Sequence, residues 1–294
     1  MLEPLQHTVM DVSVEPDDAY ERDIVICDNA DRDLAKEVLK KPFHNAALVY
    51  RMRGDVFHEL DLWPIHWSKQ WIAENIILPN VDGVVAVSDR LADKYRHETG
   101  LQAVGSAGLC KRVDEWPAVS HEGEELNIVT LTNMNYWEKI RPIVSWAEPV
   151  NAVLSEVGGH WRVCGEGNHD DRLADELASY SHVSYEGWVN ADDVLQESNL
   201  MLHPSLLDGQ PNSVLEGMAS NLPVVTNDFE AFTEFPGPLC VASSAVELKD
   251  YLRTFTDPNE RQNKGRDCRE YIQTSHSPEA IAEQYELFCQ NVLA

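Results

Sequence analysis

The sequence predicts an α/β protein of two domains, each built on a parallel β-sheet. Short, continuous apolar runs alternate with longer segments of helical period nearly throughout, as in strands buried on both faces and joined by crossover helices. At 294 residues the chain is long for one domain and ample for two. A hydrophobic fraction of 43% is enough to build a full core.

In chain order, strands are expected at residues 23–28 (DIVICD), 46–51 (AALVYR), 83–88 (GVVAVS) and 101–105. The acidic, proline-containing stretch 114–125 then reads as an interdomain linker. Beyond it come strands at 127–132 (NIVTLT), 160–164 (HWRVC), 182–185 (HVSY), 200–203 (LMLH) and 223–226 (PVVT). Helical periodicity marks 140–157, 170–180 and 213–220, and the amphipathic end, 278–293, is expected to form a packed helix. The domains are therefore placed at 1–118, reduced in size, and 119–275, with 276–294 returning to the first. No glycine-rich turn follows the first convincing strand, so the dinucleotide fingerprint of a dehydrogenase is missing.

Fifty Asp and Glu against 23 Lys and Arg leave a formal net charge of −27. Such a surface repels nucleic-acid phosphates and anionic lipid, so no nucleic-acid partner is expected. At molar salt the Debye length falls to about 3 Å and the self-repulsion is largely screened. A salt-adapted cytoplasm, as in halophilic archaea, is one reading of this charge; an ordinary acidic protein is the other. No apolar run approaches the ~20 residues that span a bilayer, and the start, MLEPLQHTVMDVSVEPDD, has no leader pattern. A cytoplasmic location is expected, with peripheral docking at the inner membrane face left open.

The six cysteines form no CxxC pair and the eleven histidines no HExxH or HxxxH pair, so no metal and no cofactor are expected. Asp31-Arg32-Asp33 is a D-x-D triplet. In a chain this acidic such triplets arise roughly eight times by chance, so it carries little weight. Neither a phosphate-binding GxxxxGK[ST] loop nor a GxSxG elbow is present.

The most informative segment is 203–226, HPSLLDGQPNSVLEGMASNLPVVT. It reads as a strand, a turn, a helix starting near Pro211 and Asn212, and a second buried strand. Gly209 permits close backbone approach. The amides of Gly209, Gln210, Pro211, Asn212 and Ser213 surround a helix N-terminus, Pro211 contributing only its fixed turn geometry. There the orphan N–H groups and the macrodipole favour an anion such as a diphosphate. Asp208 precedes the helix and Glu216 lies one turn in, eight positions later. A carboxylate there can accept bonds from vicinal hydroxyls, as a ribose presents. The pair suits a phosphorylated sugar held at both ends.

This segment resembles the signature of the retaining nucleotide-sugar glycosyltransferases of the GT-B fold, the group 1 or family 4 type. Pro204, Ser205, Gly209, Pro211, Leu215, Glu216, Met218, Ala219, Pro223, Val224 and Val225 stand in register with it. Departures fall at Asp208, usually Glu; Gly217, usually Ala; and Asn221, usually Gly. Asn also tolerates the left-handed conformation.

Upstream segments follow in the family's order. Residues 127–139 resemble its domain-opening strand and cationic loop, with Lys139 neutralising donor phosphate and Asn133 in place of the usual Arg. Cys164-Gly165-Glu166-Gly167 resembles its glycine turn. Tyr185-Glu186-Gly187-Trp188-Val189 resembles the segment bordering the nucleobase, where Trp188 either stacks on the base or fills core. Arg51, Arg53 and Asp55, after an early strand, occupy the acceptor side, although a solvated loop accounts for them as well.

The resemblance implies two Rossmann-like domains facing across a cleft, the first abbreviated. It also implies transfer of a sugar from a nucleoside-diphosphate sugar to a hydroxyl acceptor (a glycan, a lipid-linked saccharide or a small alcohol) with retention at the anomeric carbon. Asp208 and Glu216 are then the catalytic pair. A nucleotide-sugar epimerase or phosphorylase on the same fold, and a non-catalytic sugar-nucleotide-binding subunit, stay open as alternatives.

Overall fold

The structure is a computed structural model that describes residues 23–28, 32–62, 67–232, 235 and 238–293. The chain start and Asp31 of the D-x-D triplet lie outside the described residues. Among those described, no helix is long and apolar enough to cross a membrane.

The chain divides into two compact units. The first contains β1 (Ile24–Cys27), α1 (Arg32–Lys40), β2 (Ala47–Met52), α2 (Val56–Leu62), α3 (Trp67–Ile72), β3 (Gly83–Ala86), α4 (Asp89–Thr99) and β4 (Val104–Ser106). Its strands are parallel and lie in the order β1-β2-β3-β4. Largely apolar runs make β1 to β3, and capping bounds α4: Ser88 accepts from the Leu91 amide at its start, and Gly100, at φ 73°, ends it.

The second unit runs from Lys111 to Ser277. It holds β5 (Leu126–Leu131), α5 (Trp137–Val157), β6 (Gly159–Cys164), α6 (Asp170–Leu177), β7 (Val183–Gly187), α7 (Ala191–Gln196) and β8 (Leu200–His203). After these come α8 (Asn212–Ala219), β9 (Val224–Asn227), β10 (Cys240–Ala242), α9 (Ala245–Thr254) and α10 (Pro258–Ser275). The last helix, α11 (Pro278–Leu293), belongs to the first unit. There Ile281, Tyr285 and Phe288 pack against Val49 and Val85. Gly105 makes room for it, since a Cβ there would come within 2.7 Å of the Phe288 ring.

All strand pairs of the second sheet are parallel, in the order β10-β9-β8-β5-β6-β7. The chain builds outward from β5 through β6 to β7, then returns to the other side of β5 with β8. That is the doubly wound 3-2-1-4-5-6 arrangement, and strand order reverses between β5 and β8. The described strands of the first unit contain no such reversal. Beneath the reversal lies an apolar core in which buried Trp161 donates to Thr130 Oγ1 at 3.0 Å, and Thr130 in turn donates to the Leu202 carbonyl at 2.6 Å.

The stretch 114–125 differs from the linker expected of it. The boundary falls at Cys110/Lys111 rather than 118/119, and at Ser277/Pro278 rather than 275/276. Four side chains fasten this stretch to the second unit. Arg269 of α10 donates to the carbonyls of Val113 (2.9 Å), Trp116 (3.5 Å) and Ala219, and buried Arg261 donates to that of Gly123 (2.5 Å). Asn221 donates through Nδ2 to the Val119 carbonyl at 3.1 Å, and Nε2 of buried His121 lies 2.7 Å from the Asn221 carbonyl oxygen. Backbone acceptors held by distant arginines leave no trace in local composition.

Two departures from the family pattern have local causes. Asn221 adopts φ 68°, the left-handed conformation expected of it. At Gly217 an added Cβ would come within 2.5 Å of Met201 Sδ, so α8 lies too close to β8 for alanine without a shift of Met201.

Candidate active site at the strand-order reversal

In open α/β sheets ligands bind beyond the carboxyl ends of the strands, where strand order reverses. Here that place is built by the segments following β5 and β8. Their junction begins with a proline. Pro142 sits inside α5 and has no N–H, so the Glu138 carbonyl lacks its helical donor. That carbonyl accepts instead from the Leu206 amide, 3.1 Å away, in the turn after β8. The bond brings Lys139 beside Asp208.

Lys139 Nζ stands 2.8 Å from Asp208 Oδ1, and His203 Nε2 stands 3.2 Å from Asp208 Oδ2. The Asp208 side chain is 7% exposed and that of His203 2%. Burial acts to raise the carboxyl pKa; the Lys139 ammonium and the bond from His203 outweigh it and hold Asp208 well below the usual carboxylate range. An ionised Asp208 only accepts, so Nε2 of His203 is the donor, and its Nδ1 faces Ser213 Oγ at 3.5 Å. The His203 ring is further fixed edge-on by Phe232, with centroids 5.9 Å apart. Lys139, Asp208, His203 and Ser213 thus form one chain of contacts from the first turn of α5 to the first turn of α8.

The N-cap residue of α8 is Pro211, whose side chain makes no capping hydrogen bond. Gly209 and Pro211 are buried in the turn that leads into it, Gln210 is half-buried, and Asn212 is exposed at its first position. One turn in, Glu216 Oε1 accepts from Lys111 Nζ at 2.8 Å and also from Nδ2 of the Asn212 side chain. Glu216 Oε2 makes no hydrogen bond among the described residues. Gly165, at φ 139°, is occupied within the scaffold: its N–H donates to the Gly187 carbonyl at 2.7 Å, and its carbonyl accepts from the Tyr185 hydroxyl at 2.8 Å. Asn133 is exposed and caps its own loop, accepting from the Asn135 amide at 3.4 Å. Among the described residues no three His, Cys, Asp or Glu side chains converge as a metal site.

Residues 125–254 match a family model described as glycosyl transferases group 1. Over 99% of this chain and 92% of the other, the sequence is 33% identical to a viral protein, ORF31 of the virus isolate Australia/Victoria, a glycosyltransferase by name. The chain belongs to the group 1 glycosyl transferases.

Solved structures agree on the fold of this group 1 glycosyl transferase. TarM of S. aureus superposes with a TM-score of 0.73 at 18% identity over 90% of this chain, which spans 54% of TarM's length. HepE of Anabaena, solved in complex with UDP and glucose, superposes with a TM-score of 0.75 at 13% identity, covering 95% of this chain and 80% of HepE. The fold is GT-B, with two Rossmann-like domains.

Trp188 follows β7 and is 70% exposed, so it does not fill core; Val189 beside it is half-buried. In the first unit Arg51 lies within β2, donates to Asp28 Oδ1 at 3.2 Å and stands 5.8 Å from the centre of the Tyr285 ring. Asp55 caps α2, accepting from the His58 amide at 3.1 Å, and pairs with Lys94 at 2.6 Å. Arg53 is exposed. A solvated loop thus describes Arg53 and not Arg51 or Asp55. His203 and Lys111 escaped the sequence reading. A histidine ending a buried strand is a signal that could have found the first; nothing local marks the second.

Proposed function

We propose that this group 1 glycosyl transferase moves a sugar from a nucleoside-diphosphate sugar to a hydroxyl acceptor with retention of anomeric configuration. One observation carries the reading. At the strand-order reversal, Lys139 of α5 is tied to Asp208 in the turn before α8, Pro211 leaves the start of α8 without a side-chain cap, and Glu216 one turn in keeps Oε2 without a hydrogen bond among the described residues. The helix-terminal amides and the Lys139 ammonium stabilise the leaving diphosphate. Lys139 has three donors and gives one to Asp208, which leaves two for phosphate oxygens. Asp208 fixes that ammonium and borders the donor sugar, while Glu216 Oε2 accepts from the ribose hydroxyls. The bond from the anomeric carbon to the phosphate oxygen breaks, and the bond to the acceptor oxygen forms on the same face. The acceptor's proton passes to the departing diphosphate. The acceptor is a glycan, a lipid-linked saccharide or a small alcohol.

The test is a thermal-shift screen of nucleotide sugars in molar KCl, followed by calorimetry on the best donor and by NMR of the product's anomeric proton. An α-linked donor gives an α-linked product, and Glu216→Ala abolishes donor binding in a chain that still unfolds cooperatively. An unchanged dissociation constant in that variant, or an inverted product, overturns the proposal.

A further inference from the structure

Lys111 opens the second unit and lies outside the 125–254 segment that matches the family model. Its ammonium donates to Glu216 Oε1 at 2.8 Å, with the two side chains only 12% and 13% exposed. It also lies 5.1 Å from the centre of the Trp116 ring. The backbone beneath it is pinned on both sides. The Lys111 N–H donates to the His276 carbonyl at 2.8 Å, and Arg269 holds the carbonyls of Val113 and Trp116. A cation on so fixed a base sets the rotamer of the carboxylate it touches. With Oε1 gripped by Lys111 and the Asn212 side chain, Oε2 remains as the acceptor without a hydrogen bond among the described residues.

We propose that Lys111 is the positioning residue for Glu216 and so sets the preference of this site for a ribose over a sugar lacking vicinal hydroxyls. The inference rests on the reading of Glu216 as the ribose-binding carboxylate given above. A carboxylate free to rotate still binds a hydroxyl, but without the alignment that makes the contact selective. Loss of an aligned hydrogen bond to a charged group costs roughly ten- to a hundredfold in affinity.

The experiment compares UDP, GDP, ADP and CDP with their 2′,3′-dideoxy counterparts by calorimetry on the full chain in molar KCl. Wild type is expected to favour one ribonucleotide over its dideoxy form by at least about tenfold. Lys111→Met keeps the packing on Trp116 but removes the cation. It is expected to lose most of that preference by weakening ribonucleotide binding alone, with dideoxy binding unchanged. Lys111→Arg, which keeps the charge, retains the preference and serves as the folded control. In a Glu216→Gln background Lys111→Met adds nothing further. If Lys111→Met, or Lys111→Gln should the first variant not fold, keeps the full preference, the role of Lys111 is overturned while the transferase reading stands. If wild type binds none of the diphosphates, the transferase reading itself falls and this inference falls with it.

Discussion

Nζ of Lys139 lies 2.8 Å from Oδ1 of Asp208 across 69 residues of sequence, and both side chains are nearly enclosed. The shorter Asp in place of the family's Glu therefore faces a lysine and a histidine at close range. Its reach is matched to those two partners.

Replacing Asp208 by Asn leaves the Lys139 ammonium buried without its counter-ion. A cost of about 3 kcal/mol is expected, at the lower end for breaking a buried pair. Because the folded pKa of Asp208 is depressed, its contribution is present above the unfolded value near 3.9 and is lost as pH falls toward the folded one. Denaturant titrations of wild type and Asp208→Asn should thus differ most near pH 7 and converge below about pH 4. Curves that stay equally far apart at pH 3 would show that the cost has another origin.

Pro142→Ala supplies the N–H that α5 lacks at that point. The new amide competes with Leu206 for the Glu138 carbonyl, so the turn carrying Asp208 should loosen although the helix gains propensity. Hydrogen exchange at the Leu206 amide should accelerate by about tenfold, the signature of a local opening made easier by about 1.4 kcal/mol. Unchanged protection would mean that the carbonyl accepts both donors.

Asn221 combines a left-handed backbone with a side-chain bond to Val119. Alanine removes the bond and meets the left-handed penalty, about 1–2 kcal/mol; glycine removes only the bond, about 1 kcal/mol. Asn221→Ala should accordingly melt lower than Asn221→Gly. The reverse order would imply that backbone conformation matters little at this position.

The net charge of −27 predicts that stability rises with screening. Between 0.1 M and 3 M KCl the melting temperature should climb by about 10 °C, equivalent to roughly 3 kcal/mol or somewhat more. A flat series would favour the ordinary acidic protein over the salt-adapted one.

Much of the fold was legible because parallel sheets advertise themselves. Strands β8 (LMLH) and β9 (VVTN) open on apolar residues, and the segment from Pro204 to Val225 carries its motif residues in fixed order. Local pattern also anticipated the left-handed Asn221. What escaped shares one physical trait, long-range dependence. Strand β10 has three residues at the edge of its sheet, too few to show a period. The contact of Lys111 with Glu216 spans 105 residues, and no helical or strand periodicity connects them. The stretch 114–125 has the composition of a loop and behaves as a packed edge only because Arg261, Arg269 and Asn221 hold its carbonyls. Asp208 and Glu216 were readable as residues, but not the partners that aim them.

The hydrogen bond from the Lys111 amide to the His276 carbonyl places the second unit's two ends side by side. A short peptide bridge could therefore join them, with new termini opened in a surface loop elsewhere. Such a circularly permuted half could be made alone, its nucleotide affinity measured free of the other lobe, or be spliced into a host loop as a self-contained cassette.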